Sequence, residues 1–425
     1  MEVKEIKYEE EVYKSKDPLS PDKLKYLYTD LGYFNFLAFR DYLFRIYINK
    51  IKDDKIILQA CWGLKSINSK IIKEVTPANS ANVGFIDFED AAVYFHLSFK
   101  QKEYMITTAF IVNMEYYDTW IYKVDIVCLD KNEANNKELL NYLLNASIQC
   151  SPIKNKIILT KDPNIKNKFL DCIEILKPKN ITLNDIFLPK NISQQIKRYI
   201  AEINDYDTEK KKLNKQFRFL LSGQPGTGKS QIINAIINAV YGKITIIVIN
   251  GIDIKMVDII DFCKIFDPCL LVIDDMDFLA RKRDENFNSN TLVNFLHSLD
   301  GLFPESLFLL GATNDKFLVD EAASRPGRFD MILDISKIDS DNYLDLIKRE
   351  INDQSLIELF NDEVLNFLEN KRVTGAFIVN LIKQLVSIKK IEGKVGLEEL
   401  QSLLKFTYEG FYLEPPKLGN ILGFK

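Results

Sequence analysis

Residues 214–232 read NKQFRFLLSGQPGTGKSQI, and the reading of this stretch decides the fold. A largely apolar run, Phe217–Leu221, meets a glycine-rich turn, Gly223–Gly228. Lys229 and Ser230 follow at once, and an apolar helical pattern opens at Ile232. The spacing is G-x-x-x-x-G-K-[ST] with strand before and helix after, the setting in which such a motif is a P-loop. Its glycines let backbone N–H groups turn inward around a triphosphate. A helix starting near Lys229 aims its positive dipole end at the same oxygens. Lys229 is expected to reach the β- and γ-phosphates, and Ser230 to bind Mg²⁺. The expected cradle is Gly223, Gln224, Pro225, Gly226, Thr227, Gly228, Lys229, Ser230 and Gln231.

Three further stretches extend this reading. LLVIDDMD, residues 270–277, is an apolar strand ending in Asp274. A carboxylate there sits at the carboxyl edge of the sheet, where open α/β folds bind ligands. Asp274 is expected to hold Mg²⁺ through water, and Asp275 to polarise the attacking water. LGATND, residues 310–315, places Asn314 at the same edge, where its amide can orient a water or touch a γ-phosphate oxygen. In SRPGRFD, residues 324–330, Arg325 and Arg328 flank a Pro-Gly turn. Phosphoryl transfer spreads negative charge that an arginine from a neighbouring subunit stabilises. Taken singly, these are also ordinary acidic turns and solvated arginines; their succession along one chain favours the chemical reading.

The chain has 425 residues, enough for two to four domains, and 47% hydrophobic residues, enough for real cores. A net charge of −4 gives no general attraction to nucleic acid or anionic membrane. The six cysteines (61, 128, 150, 172, 263, 269) form no C-x-x-C pair, and His96 and His297 are far apart, so neither zinc site nor disulfide framework is suggested. Charged residues follow Met1 in place of an apolar leader, and no uncharged apolar run reaches about 18 residues. A cytoplasmic protein without a transmembrane segment is expected.

Along the chain, residues 1–50 read as helical. The stretch 24–48 is dense in aromatics, either packing on its own domain or docking a partner or membrane. Between 55 and 130, Ile56–Ala60, Ala92–Phe99, Met105–Val112 and Trp120–Leu129 read as strands, 133–149 as a helix, and Ile157–Thr160 and Phe169–Leu176 as two more strands, giving an α+β domain over 1–177 without a recognisable site. From 178 to 336 strands and helices alternate as in a parallel α/β sheet. Residues 337–405 read as helical, and 406–425, with two prolines and two glycines, as an irregular tail.

Together the four stretches resemble the AAA ATPases, the narrow AAA family within AAA+, over about residues 181–410. The resemblance implies a P-loop core with a five-stranded parallel sheet in the order 5-1-4-3-2 and a C-terminal helical lid. It implies ATP and Mg²⁺ as ligands, with Asn314 as the first sensor and Arg325 and Arg328 as a finger pair acting in trans. HSLDGL, residues 297–302, is similar to the family's intersubunit-signalling stretch. VTGAFIVNLI, residues 373–382, looks like the lid helix, bringing Gly375 and Ala376 to the nucleotide; Asp185 and Ile186 match the adenine contacts. Two departures stand out. Asp275 replaces the usual Glu, drawing the carboxylate back by about 1.5 Å, and misplacement of about 1 Å can cost about 10²-fold in rate. Asn250–Phe266 is short and lacks the family's aromatic pore loop. In that shortness the chain resembles the branch of the mitochondrial Rieske-protein translocase, without its membrane anchor, and uncharacterised bacterial AAA proteins.

The expected function is therefore an oligomeric ATPase, in the family habit a hexameric ring, that remodels, translocates or disassembles a protein partner chosen by the N-terminal domain. The alternatives are a slowly hydrolysing ATP-dependent assembly switch and, against the acidic charge, a nucleic-acid motor or loader.

Overall fold

The computed structural model describes residues 25–31, 33–62, 67–75, 82–88, 92–112, 120–128, 136–160, 173–206, 218–249, 256–266, 268–277, 307–314 and 328–412. In chain order, β1 (Lys25–Leu31) leads into α1 (Tyr33–Tyr47). Six strands follow: β2 (Ile56–Trp62), β3 (Ile67–Val75), β4 (Asn82–Phe88), β5 (Ala92–Phe99), β6 (Lys102–Val112) and β7 (Trp120–Cys128). Then come α2 (Asn136–Gln149), β8 (Ile157–Thr160), β9 (Ile173–Leu176) and α3 (Lys190–Asn204). The P-loop region contributes β10 (Arg218–Ser222), α4 (Lys229–Val240), β11 (Thr245–Ile249), α5 (Met256–Ile265), β12 (Cys269–Ile273), β13 (Leu307–Thr313) and β14 (Met331–Asp334). Five helices complete it: α6 (Tyr343–Glu350), α7 (Gln354–Ile357), α8 (Asp362–Asn370), α9 (Gly375–Glu392) and α10 (Leu397–Phe411).

The chain forms two compact units. Unit 1 comprises Met1–Pro178, Tyr241–Val272 and Phe303–Phe308; unit 2 comprises Lys179–Val240, Ile273–Leu302 and Leu309–Lys425. The units therefore cut across the sequence blocks 1–177 and 178–336.

Unit 1 contains a five-stranded antiparallel sheet in the order β1-β7-β6-β5-β2. Its strands alternate: in β5, Val93, Phe95, Leu97 and Phe99 are buried while their neighbours are half-exposed, the two-residue period of a sheet with one covered face. The core joins these to Ile106, Val124 and Ile126 and to Phe39, Leu43, Leu139 and Leu143 of the two helices. From Phe34 to Phe44 nearly every side chain of α1 is buried, so this part of the helix packs within its own unit. Residues 25–31, read from sequence as helix, are a strand: KYLYTDL pairs with β7 from Lys25↔Cys128 to Leu31↔Tyr122. Cross-strand pairing of Tyr and Thr, good strand formers, outweighs the helical spacing.

Unit 1 also holds strands in the order β12-β11-β8-β9-β3-β4, and unit 2 holds β14-β10-β13, both pairs parallel. In core numbering these are the 3-2 and 5-1-4 portions of the expected order. The expectation of five strands needs correction at strand 2, because β11 is not an edge. β8 pairs parallel with it from Ile246↔Ile157 to Ile249↔Thr160. The Thr160 hydroxyl donates to the Val248 carbonyl (3.3 Å), and Asn155 N–H donates to Thr245 Oγ1 (3.0 Å). These contacts occupy backbone groups that an open edge would leave to solvent. In the same unit Phe34 of α1 meets Phe266 and Phe262 of α5, with ring centroids 5.3 and 6.0 Å apart.

In unit 2, Tyr199 of α3 stacks on Phe219 at 4.2 Å and donates its hydroxyl to the Leu309 carbonyl (3.0 Å). The helices α6 to α10 share a separate core built on Leu346, Ile347, Leu368, Phe377, Leu381 and Leu385. The helical pattern continues through Phe411, beyond the expected end at 405.

Candidate nucleotide site

The site is assembled in unit 2 from strand ends. β10 is buried throughout, and its chain leaves at Ser222 into the glycine turn. Gly226 (φ 80°) and Gly228 (φ 96°) take the left-handed backbone that a side chain disfavours. A Cβ at Gly223 would collide with the Ile335 carbonyl oxygen, and one at Gly226 would stand 3.0 Å from Thr374 Oγ1. The Thr227 hydroxyl donates back to the Gln224 carbonyl (2.9 Å), closing the turn. α4 then starts at Lys229, its apolar face (Ile232, Ile233, Ile236, Val240) buried.

Lys229 is only 6% exposed. Its ammonium donates to the carbonyls of Gly223 (2.7 Å) and Gln224 (3.1 Å) and to Asn314 Oδ1 (2.6 Å), so three donors meet three acceptors. Burial lowers its pKa, opposed by the charges of Asp275, Asp277 and Asp274. Asp274 follows Ile273 in unit 2, and its carboxylate accepts from the Ser230 hydroxyl; burial holds this carboxyl above the usual range, and the Asp275 charge adds to the rise. Asp275 is exposed and stands in the left-handed region (φ 57°), accepting from Asn314 Nδ2 at 3.2 Å. Strained non-glycine backbone of this kind gathers at functional sites.

A cavity of about 400 Å³ opens beside the turn. Gly226 to Gln231 line it, with Asp185, Ile186, Gly375 and Ala376. Helix α9 is stitched to the turn: Ala376 N–H donates to the Gly226 carbonyl (3.4 Å), and Thr374 caps α9 by accepting from Phe377 N–H (3.3 Å). Asp185 uses its carboxylate locally, accepting from Thr182 N–H and hydroxyl (both 2.7 Å), which lowers its pKa. Its carbonyl accepts from Arg349 of α6, whose guanidinium lies over the Phe187 ring at 5.2 Å.

These features fit a triphosphate with Mg²⁺. Two glycines keep the cradle open, one buried ammonium stands at a helix start, and hydroxyl meets carboxylate at Ser230 and Asp274. Mg²⁺ keeps several waters and takes few protein ligands beside phosphate oxygens. Among the described residues no group of three or more His, Cys, Asp or Glu side chains could hold a metal by itself.

The structure thus brings together Lys229, Ser230, Asp274, Asp275 and Asn314. It does not offer Arg328 to a neighbour: this side chain is 3% exposed within its own chain, beside buried Phe329, and its carbonyl accepts from Arg218 Nη1 (3.4 Å). The expectation of two free guanidiniums is corrected at that position. Arg325, the stretch 297–302 and residues 250–255 lie outside the described residues. Sequence reasoning missed Asp277 and Arg349. The first carried a signal, a third acid in DDMD; the second carried none, since its role depends on how α6 packs.

Residues 219–337 match the family described as ATPase family associated with various cellular activities (AAA). The chain is 34% identical over 166 residues to a proteasome-activating nucleotidase of Methanococcus maripaludis (strain C6), covering 36% of this chain and 41% of that protein. It is 26% identical over 279 residues to a protein named as a cell division cycle ATPase in Plasmodium falciparum, covering 61% of this chain and 22% of that one. It is 24% identical over 252 residues to the ATP-dependent zinc metalloprotease FtsH of Halothermothrix orenii, covering 55% and 40%. The chain thus spans about a fifth to two fifths of the length of these relatives. No described helix is long and apolar enough to cross a membrane. A glycine cradle and a buried lysine on one cavity, with a serine–aspartate pair and the Asn314 amide beside them, are the geometry of the stretch, residues 219–337, that matches the AAA ATPase family.

Proposed function

We propose that this chain is an oligomeric, Mg²⁺-dependent ATPase that acts on a protein partner. The observation that carries the reading is the convergence of Lys229, Asn314, Ser230 and Asp274 beside the glycine turn. In this reading ATP is the substrate and Mg²⁺ supplies charge neutralisation at its phosphates. Lys229 binds the terminal phosphates, Ser230 and Asp274 hold the metal, Asn314 orients the attacking water, and Asp275 takes its proton. Asp185, Ile186, Gly375 and Ala376 enclose the base. With Arg328 buried, the trans-acting guanidinium is Arg325. The ring is hexameric and cytoplasmic, the region 1–177 selects the partner, 178–336 is the ATPase core and 337–405 the lid. Relatives named for the proteasome and for proteolysis support a protein partner, and the net charge of −4 opposes a nucleic-acid one. The test is ATP turnover against protein concentration. Specific activity falling on dilution supports catalysis between subunits; constant activity down to clear monomer rejects it.

A second reading, an ATP-dependent assembly switch with slow turnover, has one observation in its favour. Asp275 is a methylene shorter than Glu and its carboxylate already engages Asn314. Asp275→Glu discriminates. A gain of about tenfold or more in phosphate release supports the switch, and brisk turnover by the unaltered chain removes it.

A further inference from the structure

We propose that Asp277 is a positioning residue that fixes the amide of Asn314, and that through Asn314 it sets how well the site tells a triphosphate from a diphosphate. The inference rests on the nucleotide reading above. Neither Asp277 nor Asn314 lines the cavity, and the Asp277 carboxylate gathers the end of β13. The Thr313 hydroxyl donates to it. Asn314 N–H donates to both of its oxygens (3.2 and 3.1 Å), and Asn314 Nδ2 donates to Oδ2 (3.0 Å). A carboxylate has about four acceptor positions, and two consecutive residues use most of them.

Charge then dictates which way the amide faces. Its NH₂ lies between Asp277 Oδ2 and Asp275 Oδ1 (3.2 Å), and its oxygen meets the Lys229 ammonium (2.6 Å). The reverse orientation would set a carbonyl against two carboxylates and an NH₂ against a cation. Asp275 alone cannot impose this: it is exposed and makes one longer bond. The turn carrying Asp277 is itself pinned. Met276 N–H donates to the Ala312 carbonyl (2.7 Å), and its sulfur occupies the space over Gly311 where a Cβ would stand 2.5 Å away. Asp277 is therefore held one residue beyond an anchored backbone, directly beside the amide it orients.

The competing role is a plain staple between the turn and β13. A binding measurement separates the two. The full chain, with Mg²⁺, is titrated with a non-hydrolysable ATP analogue and with ADP, by displacement of a fluorescent nucleotide. The proteins are the unaltered chain, Asp277→Ala, Asn314→Ala and the double variant. Asp277→Ala is expected to lower the triphosphate-to-diphosphate affinity ratio about tenfold, Asn314→Ala to match it, and the double variant to add nothing. An unchanged ratio, equal loss for both nucleotides, or a second full loss in the double variant overturns the proposal. If Asp277→Ala fails to fold, Asp277→Asn, which keeps the shape and drops the charge, is read by the same criteria. Unaltered protein that binds neither nucleotide sinks the underlying reading; normal binding with an unmoved ratio in Asp277→Ala sinks only this inference.

Discussion

One wall of the candidate site is borne by strand ends, the other by the turn at Asp185 and the carboxyl-terminal helices, and the two are built differently. On the strand-borne wall, Lys229 and Asn314 follow buried β10 and β13 and hydrogen-bond to each other, and Asp274 accepts from Ser230. On the other, Asp185 and Arg349 come from segments 164 residues apart, and their hydrogen bond is exposed. Rigid backbone fixes the first wall; side chains in contact with water hold the second. Under the proposed function, phosphate chemistry falls to the wall fixed by buried strands, and the base to an exposed contact.

That contrast has a largest test. Lys229→Ala removes a buried charge that meets three acceptors, and nucleotide binding should weaken at least about 10²-fold, since hydrogen bonds to charged groups are the costly ones to lose; titration with a fluorescent nucleotide checks it. A loss below tenfold would break the claim that the strand-borne wall dominates. Arg349→Ala should weaken ATP and ADP together by only about fivefold, the sum of an exposed cation–π contact and one hydrogen bond. A selective loss of ATP there would place Arg349 with the phosphates instead.

The smallest effect concerns stability without nucleotide or metal. The Asp274 carboxyl has its pKa raised by burial, so the folded state holds this proton more tightly than the unfolded chain. Stability then rises as pH falls through the folded pKa, and the ionised form is a cost at neutral pH. Asp274→Asn should raise Tm by about 1–2 °C at pH 7, with the gap narrowing in acid. A lower Tm for the variant at pH 7 would show that the Ser230 hydrogen bond outweighs burial.

Much of the strand-borne wall was legible in the sequence because each residue follows a continuous apolar run, and such runs are buried strands in a parallel sheet. Cys269–Ile273 and Met331–Asp334 fall where that pattern places them. Other features depend on partners that sequence spacing does not reveal. β3 and β4 carry Asn, Ser, Lys, Glu and Asp among their apolar residues and are strands because they pair with each other and β3 pairs with β9. Lys25–Leu31 mimicked a helix until β7 supplied its ladder. Arg328 matched a motif, yet a motif does not state whether a guanidinium turns outward. The short stretch that resembles the Rieske-protein translocase branch lies partly outside the described residues.

The pairing of β8 with β11 has a practical consequence for dissecting this protein. Severing the chain near 178 to isolate the ATPase half would strip a parallel strand from Thr245–Ile249, five residues that are mostly buried and strongly apolar. A bare apolar ribbon of that kind is a template for aggregation. β8 thus covers an edge that sequence position alone would leave bare, and fragments cut near 178 should precipitate more readily than the full chain.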